Sequence, residues 1–482
     1  MKETRQRLKK TTKTIKPAYT VYAFWRRQKL SQKLFGTSGI RGIVNKDLTP
    51  ELALQTGLAV ATKTNAGKIV IAHDTRTTAT TVENATVAGL LAGGSRVIKL
   101  GLIPTPVLAY ATRQLKADTG VMITASHNPP QYNGIKLFNK NTMAYTQNQQ
   151  DKIEQLIKKQ QFTRQTYQKI GTTTTTTDAT RSYIKAFEKV GLDRKWRVIL
   201  DPGNGATCKV APIVFQTLGC QVTTINAQPD GHFPARSPEP DVKSLKELCR
   251  LVKQLNAHAG FAFDGDGDRM VAVTEKGELA PLDQTLAAYA AYAIRKNKGC
   301  PIVTTIEASM CIEKMVQQNN GKVLRTRVGD VAVAEEIKRH SAVFGGEPCG
   351  AWIHPQFHYC PDGLLSSVLL LKALEDEDET LSKFIAKAPF YPVKKKSVEC
   401  PSEAKIKVMR KMRGALHSVF PKNIGLTDVD GIRLTLAEGW ILIRASGTEP
   451  FIRIKVEAKS VQEVEKIMQK CLSLVHEVME AA

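Results

Sequence analysis

The chain has 482 residues, a formal net charge of +24, and 42% hydrophobic and 24% charged residues. That length exceeds one hydrophobic core and predicts three or four domains, while no apolar run approaches the roughly 18–20 residues that span a bilayer. Nine cysteines without a C-x-x-C pair argue against a disulfide scaffold and for reduced thiols in a cytoplasm.

Residues 1–30 hold ten Lys/Arg and one acidic residue, so +9 of the charge lies in a basic extension, 1–32, that reads as a disordered arm. Its apolar patch, 18–25, is short and has no following cleavage signal. The ordered part opens with Phe35-Gly36-Thr37-Ser38-Gly39-Ile40-Arg41-Gly42. From there to about 390, short β-branched runs (68–72, 96–100, 197–200, 221–225, 260–263, 302–305) alternate with segments of helical spacing (51–64, 178–190, 242–255, 283–295). The alternation predicts α/β layers with largely parallel sheets. An apolar run, 120–123, leads into Thr124-Ala125-Ser126-His127-Asn128-Pro129-Pro130, with Lys136 just beyond. A serine on such a turn, beside His and upstream of Lys, suits a covalently carried group, although most turn serines only cap or close the turn. The threonine run at 172–177 is low in complexity and reads as a linker.

Farther along, Asp264, Asp266 and Asp268 alternate with Gly265 and Gly267, and Arg269 follows. Alternate side chains of extended backbone share one side, and glycine lets the chain curl at little steric cost, so three carboxylates can converge. Hard oxygen ligands of this kind favour Mg²⁺; the plainer alternative is an acidic turn. Beyond 390 the pattern changes to closely spaced strands (431–436, 440–443, 451–457). A final helix then sets Val461, Val464, Met468, Cys471 and Val475 on one face. This is a separate α+β domain. Within it, Arg444-Ala445-Ser446-Gly447-Thr448-Glu449-Pro450 offers a guanidinium, two hydroxyls and closely spaced N–H groups, a phosphate cradle to which Arg453 adds a second guanidinium.

Taken in order, the loops at 35–42, 124–130, 263–269 and 444–450 closely resemble the signature set of the α-D-phosphohexomutases, which include phosphoglucomutase, phosphomannomutase and phosphoglucosamine mutase. The resemblance runs from about residue 33 to the C-terminus. It implies an α/β chain with four domains around a central cleft: three related α/β domains plus a smaller C-terminal α+β domain. These would be a phosphoserine domain (33–177), a metal-binding domain (178–279), a sugar-binding domain (280–389) and a phosphate-binding domain (390–482). No internal sequence repeat reveals that relation by itself.

The resemblance further implies that Ser126 is a phosphoserine whose phosphate completes a Mg²⁺ shell with Asp264, Asp266 and Asp268. Arg41 and Arg269 would stabilise the transferring group and His127 would support the loop. Lys136 would be the general acid/base, its pKa lowered by neighbouring cations, unless it is a solvated surface lysine. Arg444, Ser446, Gly447, Thr448 and Arg453 would hold the phosphate that is not transferred. Gly346-Glu347-Pro348-Cys349-Gly350 resembles the family's sugar loop, with Cys349 where Ser is usual and Ala351 where many members have His. Glu347 would grip ring hydroxyls. Arg327-Val328-Gly329-Asp330 resembles the corresponding region of the phosphoglucosamine mutases. His354, His358 and Cys360 are spaced like a metal site, but Pro355 discourages the helix that would unite the histidines, which leaves loop histidines near an anionic substrate.

The implied activity interconverts hexose 6-phosphate and hexose 1-phosphate through a phosphoserine enzyme and a bisphosphorylated sugar. Glucosamine phosphate is the favoured sugar, mannose or glucose phosphate the alternative, and a hexose bisphosphate the activator. The expected partners are small sugar phosphates, steered inward by the positive field, with the chain a monomer or homodimer away from membranes. Two readings of other classes compete. A sugar phosphatase would need only one phosphate site. A nucleic-acid binder would use the charge, but no recognised nucleic-acid motif accompanies it.

Overall fold

The computed structural model describes residues 33–36, 38–446 and 449–481. The basic extension 1–32 and two members of the expected cradle, Gly447 and Thr448, lie outside the described residues. The first sheet contains β1 (Phe35–Gly36), β2 (Gly39–Ile43), β3 (Lys68–His73), β4 (Arg96–Leu102), β5 (Thr119–Ile123), β6 (Tyr132–Asn139) and β7 (Thr173–Thr175), in the order β1-β2-β6-β5-β3-β4-β7. The second holds β8 (Arg197–Asp201), β9 (Gln221–Thr224), β10 (Ala259–Phe263) and β11 (Met270–Thr274), ordered β11-β10-β8-β9. The third holds β12 (Pro301–Thr305), β13 (Lys322–Thr326), β14 (Phe344–Gly346) and β15 (Trp352–Ile353), ordered β13-β12-β14-β15. The fourth is antiparallel throughout: β16 (Val393–Glu399), β17 (Asn423–Thr427), β18 (Ile432–Leu436), β19 (Gly439–Ala445) and β20 (Phe451–Ala458), ordered β16-β20-β19-β18-β17.

A common unit recurs in the first three sheets. Three parallel strands are flanked by one antiparallel strand: β6 beside β5-β3-β4, β11 beside β10-β8-β9, and β15 beside β14-β12-β13. In each unit one loop carries the chain from the C-terminal end of a parallel strand into the antiparallel one, at 124–131, 264–269 and 347–351. Those are the three loops singled out in the sequence, and the C-terminal ends of parallel strands are where open α/β sheets place their sites. β5 and β10 are buried along their whole length, as strands covered on both faces must be.

One continuous core passes through the first three sheets, through residues such as Val70, Phe261, Tyr289 and Leu370. The fourth sheet has its own, around Leu434, Ile454 and the final helix Val461–Glu480. A small hydrophobic cluster of Ile306, Trp440 and Leu442 lies between the third and fourth sheets. Among the described residues no helix is long and apolar enough to cross a membrane, and all nine cysteines are free thiols.

Several expectations change. The threonine run is not a linker: Thr173–Thr175 pairs in parallel with Val97–Lys99 as an edge strand, since β-branched residues suit a pleated edge. The helix expected from 242 begins at Lys246, because Asp241 closes a turn by accepting the N–H groups of Lys243 and Ser244. The helix expected to reach 190 ends at Phe187. Val461 is exposed, whereas Val464, Met468, Cys471 and Val475 are buried. The histidines of the H-x3-H-x-C cluster lie in a loop, as expected, and are satisfied inside the protein. Both are buried, with His354 Nε2 3.0 Å from Ser366 Oγ and His358 Nε2 2.9 Å from Asp362 Oδ2.

Asp362 also accepts the Tyr183 hydroxyl from helix Asp178–Phe187 at 2.8 Å, and it caps helix Gly363–Asp376 through the Leu365 N–H. This buried carboxylate therefore ties two domains together. Tyr183→Phe leaves it one donor short, and a hydrogen bond to a charged group is worth about 1.5–3 kcal/mol. Urea denaturation is expected to show a loss of that order; an unchanged midpoint would contradict the tie.

Candidate active site

At the end of β5, the Thr124 hydroxyl donates to Asp74 Oδ2 at 2.6 Å and accepts the Ser126 N–H at 2.9 Å. Ser126 takes a left-handed backbone, φ 51°, which is uncommon outside glycine. Its buried hydroxyl donates to Asp264 Oδ2 at 2.6 Å, across to the second domain, with His127 Nδ1 3.3 Å from the same oxygen.

Asp264, Asp266 and Asp268 follow β10, and each offers a carboxylate oxygen within 4.8 Å of the others. Asp264 Oδ1 accepts the N–H groups of Gly267 and Arg269. Asp266 Oδ2 accepts the Thr105 hydroxyl at 2.6 Å. Lys136, projecting from β6, bridges Asp266 Oδ2 and Asp268 Oδ2 at 2.7 Å each. Asp266 Oδ1 and Asp268 Oδ1 are buried and find no hydrogen-bond partner among the described residues. Orphaned buried carboxylate oxygens are costly, and three such groups form the ligand set of a hard divalent cation. The residues present fit a metal ion.

Charge follows from this crowding. Burial, with Asp268 and Asp266 alongside, pushes Asp264 well above the usual carboxylate range. Burial also opposes ionisation of Asp266, but Lys136 prevails and holds it below that range. Burial opposes the Lys136 ammonium, yet Asp266 and Asp268 outweigh it and hold its pKa above the ordinary lysine value. The expectation of a lowered pKa is therefore corrected: the lysine's nearest neighbours are carboxylates, not cations. His127 is the group that the cations do affect. Burial, then Arg269, Arg41 and Lys136, push it down to about 3, so it is neutral at physiological pH.

Arg41 and Arg269 flank the serine loop. Arg41 Nη1 donates to Asn128 Oδ1 at 2.8 Å, while its buried Nε finds no hydrogen-bond partner among the described residues. Arg269 Nη1 lies 3.3 Å from Glu239 Oε2. Sequence reasoning missed Glu239, Thr105, Asn128, Asp74 and Arg76. Asp74-Thr75-Arg76 directly after a strand was the one visible signal.

In the third domain, Glu347 is buried and its Oε2 accepts the Gly329 N–H at 3.0 Å, which joins the 327–330 segment to the sugar loop. Burial, with the Asp330 carboxylate beside it, pushes Glu347 up to about 7. Burial pushes the Cys349 thiol up to about 12. Gly350 has φ 86°, and a Cβ there would lie 2.1 Å from the Met270 carbonyl, so only glycine lets this loop lie against β11. Arg327 Nη2 pairs with Glu335 at 3.4 Å.

Arg444 and Arg453 stand directly opposite one another on β19 and β20. Like charges so placed repel, and acidic groups answer them. Arg444 pairs with Glu307 and, at 2.9 Å, with Asp430; Arg453 pairs with Glu449. The Ser446 hydroxyl accepts the Glu449 N–H at 3.2 Å, closing the turn. A cavity of about 200 Å³ lined by Gly36, Gln150, Arg327, Gly329, Asp430 and Arg444 joins this loop to the first and third domains.

Four family profiles match the chain consecutively. They are phosphoglucomutase/phosphomannomutase alpha/beta/alpha domain I over 32–164, domain II over 181–277, domain III over 281–390 and the C-terminal domain over 396–473. The chain belongs to the phosphoglucomutase/phosphomannomutase family. It is 44% identical to a phosphoglucosamine mutase of Methanocaldococcus jannaschii over 93% of this chain and 99% of the relative. It is 42% identical to one from Methanococcus maripaludis over 92% and 98%. A phosphoglucomutase/phosphomannomutase family protein from Burkholderia thailandensis superposes with a TM-score of 0.83 at 26% identity, over 92% of this chain and 97% of that one. The family's four-domain α/β architecture is the one described above, and the chain is a phosphohexomutase-family enzyme.

Two outcomes follow from the geometry. Calorimetric titration with Mg²⁺ is expected to show Asp268→Asn binding at least about tenfold more weakly than the parent; equal affinities would remove the triad as a metal centre. In NMR titrations the His127 ring is expected to stay neutral from pH 8 down to 5, and a protonation step in that window would contradict its cationic surroundings.

Proposed function

We propose that this phosphohexomutase is a phosphoglucosamine mutase that interconverts glucosamine 6-phosphate and glucosamine 1-phosphate through phospho-Ser126. The observation that carries the reading is the 2.6 Å contact of the Ser126 hydroxyl with Asp264 inside a three-carboxylate cluster, together with a second, arginine-bearing loop across the cleft. One site transfers phosphate and the other holds it. The curated relatives named above favour the amino sugar. So does the pair of carboxylates, Asp330 and Glu347, which suits a sugar bearing an ammonium group.

In the forward direction a sugar hydroxyl attacks the phosphorus of phospho-Ser126, and the P–Oγ bond breaks. The sugar becomes a bisphosphate, which turns over in the cleft and returns its other phosphate to Ser126. A Mg²⁺ ion held by Asp264, Asp266, Asp268 and a phosphate oxygen on Ser126 would supply charge neutralisation during transfer. Arg41, whose Nε is unpartnered, and Arg269 face the transferring group. Neutral His127 steadies the serine oxygen. Lys136, held as an ammonium by Asp266 and Asp268, gives its proton to the departing Ser126 oxygen and is recharged by the proton of the attacking sugar hydroxyl, so that one proton passes from the sugar to Ser126. Glu347 and Cys349 border the ring, with Arg327 at the rim. Arg444, Ser446, Gly447, Thr448 and Arg453 hold the resting phosphate once Glu307, Asp430 and Glu449 yield their arginines. The working units are 33–177, 178–279, 280–389 and 390–482, a hexose bisphosphate primes Ser126, and the free thiols suit a cytoplasmic setting.

The test is ³¹P NMR of the purified protein with Mg²⁺ and a trace of hexose bisphosphate. Glucosamine 6-phosphate, glucose 1-phosphate and mannose 1-phosphate are offered separately. Preferred interconversion of the glucosamine phosphate supports the proposal, preference for another sugar moves the specificity, and accumulating inorganic phosphate makes the protein a phosphatase. Ser126→Ala is expected to abolish exchange with the fold intact by circular dichroism; wild-type turnover in that variant would end the phosphoserine mechanism. Glu347 is protonated below about pH 7 and ionised above it, so affinity for the amino sugar phosphate is expected to rise with pH through that value. Glu347→Gln is expected to remove that rise, leaving the substrate's own ionisations, its phosphate near pH 6 and its ammonium group at about 8. A profile that keeps its step near 7 in the variant would exclude Glu347 as its source.

A further inference from the structure

We infer that Arg76 and Arg236 are positioning residues of the phosphoryl centre, one fixing the serine loop and the other the metal loop. The inference rests on the phosphoserine reading above and adds two residues that never touch the transferring group. Arg76 is 2% exposed and Asp74 fully buried. A guanidinium has five N–H donors, and every one is engaged here. Nε pairs with Asp74 Oδ2 at 3.1 Å. Nη1 donates to the carbonyls of Pro129 and Tyr132 at 2.7 and 2.9 Å. Nη2 donates to those of Ser126 and Asn128 at 2.8 and 2.6 Å. The Ser126 N–H is meanwhile held by Thr124, whose hydroxyl rests on Asp74. Both polar backbone groups of Ser126 thus end on one buried ion pair, which sustains its left-handed conformation.

The second domain contains a counterpart. Arg236 is 7% exposed and pairs through Nε with Asp201 Oδ2 at 2.9 Å, at the end of β8. Its Nη1 donates to the Ser237 carbonyl at 2.9 Å, and its Nη2 to those of Asp201 and Phe263 at 3.0 and 2.8 Å. Phe263 immediately precedes the first carboxylate of the triad. The guanidinium lies flat on Gly203, where a Cβ would come within 2.4 Å of Cζ. The two clamped loops meet backbone to backbone: a Cβ on Gly265 would lie 2.5 Å from the Ser126 carbonyl. With both loops fixed, the Ser126 hydroxyl is registered against Asp264.

The third domain repeats the device. Arg325, paired with Glu313, donates to the carbonyls of Thr305, Ala308 and Ser309. The loop it holds carries no reacting group; it is the one on which the fourth sheet rests, through Lys455 to the Glu307 carbonyl and Glu457 to Ser309.

Arg76→Lys and Arg236→Lys each keep the charge but lose the planar fork. The full-length enzyme is assayed with Mg²⁺ and glucosamine 6-phosphate after priming by glucose 1,6-bisphosphate, alongside calorimetric Mg²⁺ titration. Arg76→Lys is expected to lower kcat and the rate of Ser126 phosphorylation by about tenfold to a hundredfold, with KM and Mg²⁺ affinity unchanged. Arg236→Lys is expected to weaken Mg²⁺ binding by about tenfold. Thr124→Val, which deletes only the hydroxyl between Asp74 and Ser126, and Gly203→Ala, which displaces the Arg236 guanidinium, carry the same two tests if a lysine variant does not fold. Guanidinium ion is expected to restore part of the activity of Arg76→Ala, a rescue that a general packing defect would not give. Variants with wild-type kcat and Mg²⁺ affinity, or variants that merely melt earlier, overturn the inference. An inactive wild type overturns the mutase reading instead, and the Mg²⁺ titrations still decide the role of Arg236.

Discussion

Three carboxylates and a serine hydroxyl are buried together where the first two domains meet, and that concentration of like charge is what the surrounding structure must accommodate. Lys136 reaches across from β6 to bridge two of the three, and Arg269 gives its backbone N–H to the other. Even so, two carboxylate oxygens find no hydrogen-bond partner among the described residues. Inside a protein such a cluster is tolerable only with a cation and a full set of hydrogen bonds. Burial and the same cations make a protonated His127 unfavourable, so the histidine beside the serine stays neutral. Burial together with this crowding of charge sets the pKa shifts of Asp264, Asp266, Lys136 and His127.

The fold meets the constraint by repetition. A strand-to-strand loop at the same corner of three related sheets carries Ser126, the Asp264, Asp266 and Asp268 triad, and Glu347 in turn. A shared core holds those three corners against one another. Backbone also approaches backbone closely, at Gly265 against Ser126 and at Gly350 against Met270 of β11. The fourth sheet is different in kind. It has its own core and a narrow seam to the third domain, and it brings two opposed arginines to the far side of the cleft.

Much of this was legible in the sequence because the relevant signals are local. Alternating Asp and Gly at 264–268, and a serine after a buried strand, need no tertiary information. Period and β-branching likewise marked the strands of the parallel sheets. What escaped notice depends on distance in space. Arg76 reaches its targets from fifty or more residues away, and Glu239, from a loop, and Thr105, at the start of helix Thr105–Gln114, belong to no motif of their own. The pKa of Lys136 was misjudged for the same reason: the resemblance implied neighbouring cations, while its neighbours in space are Asp266 and Asp268. Thr173–Thr175 looked like spacer because low complexity hides β-propensity, and only an available sheet edge makes it a strand. His354 and His358 looked like ligands because spacing cannot distinguish a metal site from two histidines hydrogen-bonded in a core.

The account stands or falls on phosphate passing through Ser126. The most direct measurement is a single-turnover chase. The enzyme is labelled with ³²P at Ser126, freed of excess bisphosphate and mixed with unlabelled glucosamine 6-phosphate and Mg²⁺. The label should leave the protein within one turnover and appear in sugar bisphosphate and then in sugar monophosphate, with almost none as inorganic phosphate. Label that stays on the protein while the sugar isomerises, or that is released only as inorganic phosphate, would contradict it.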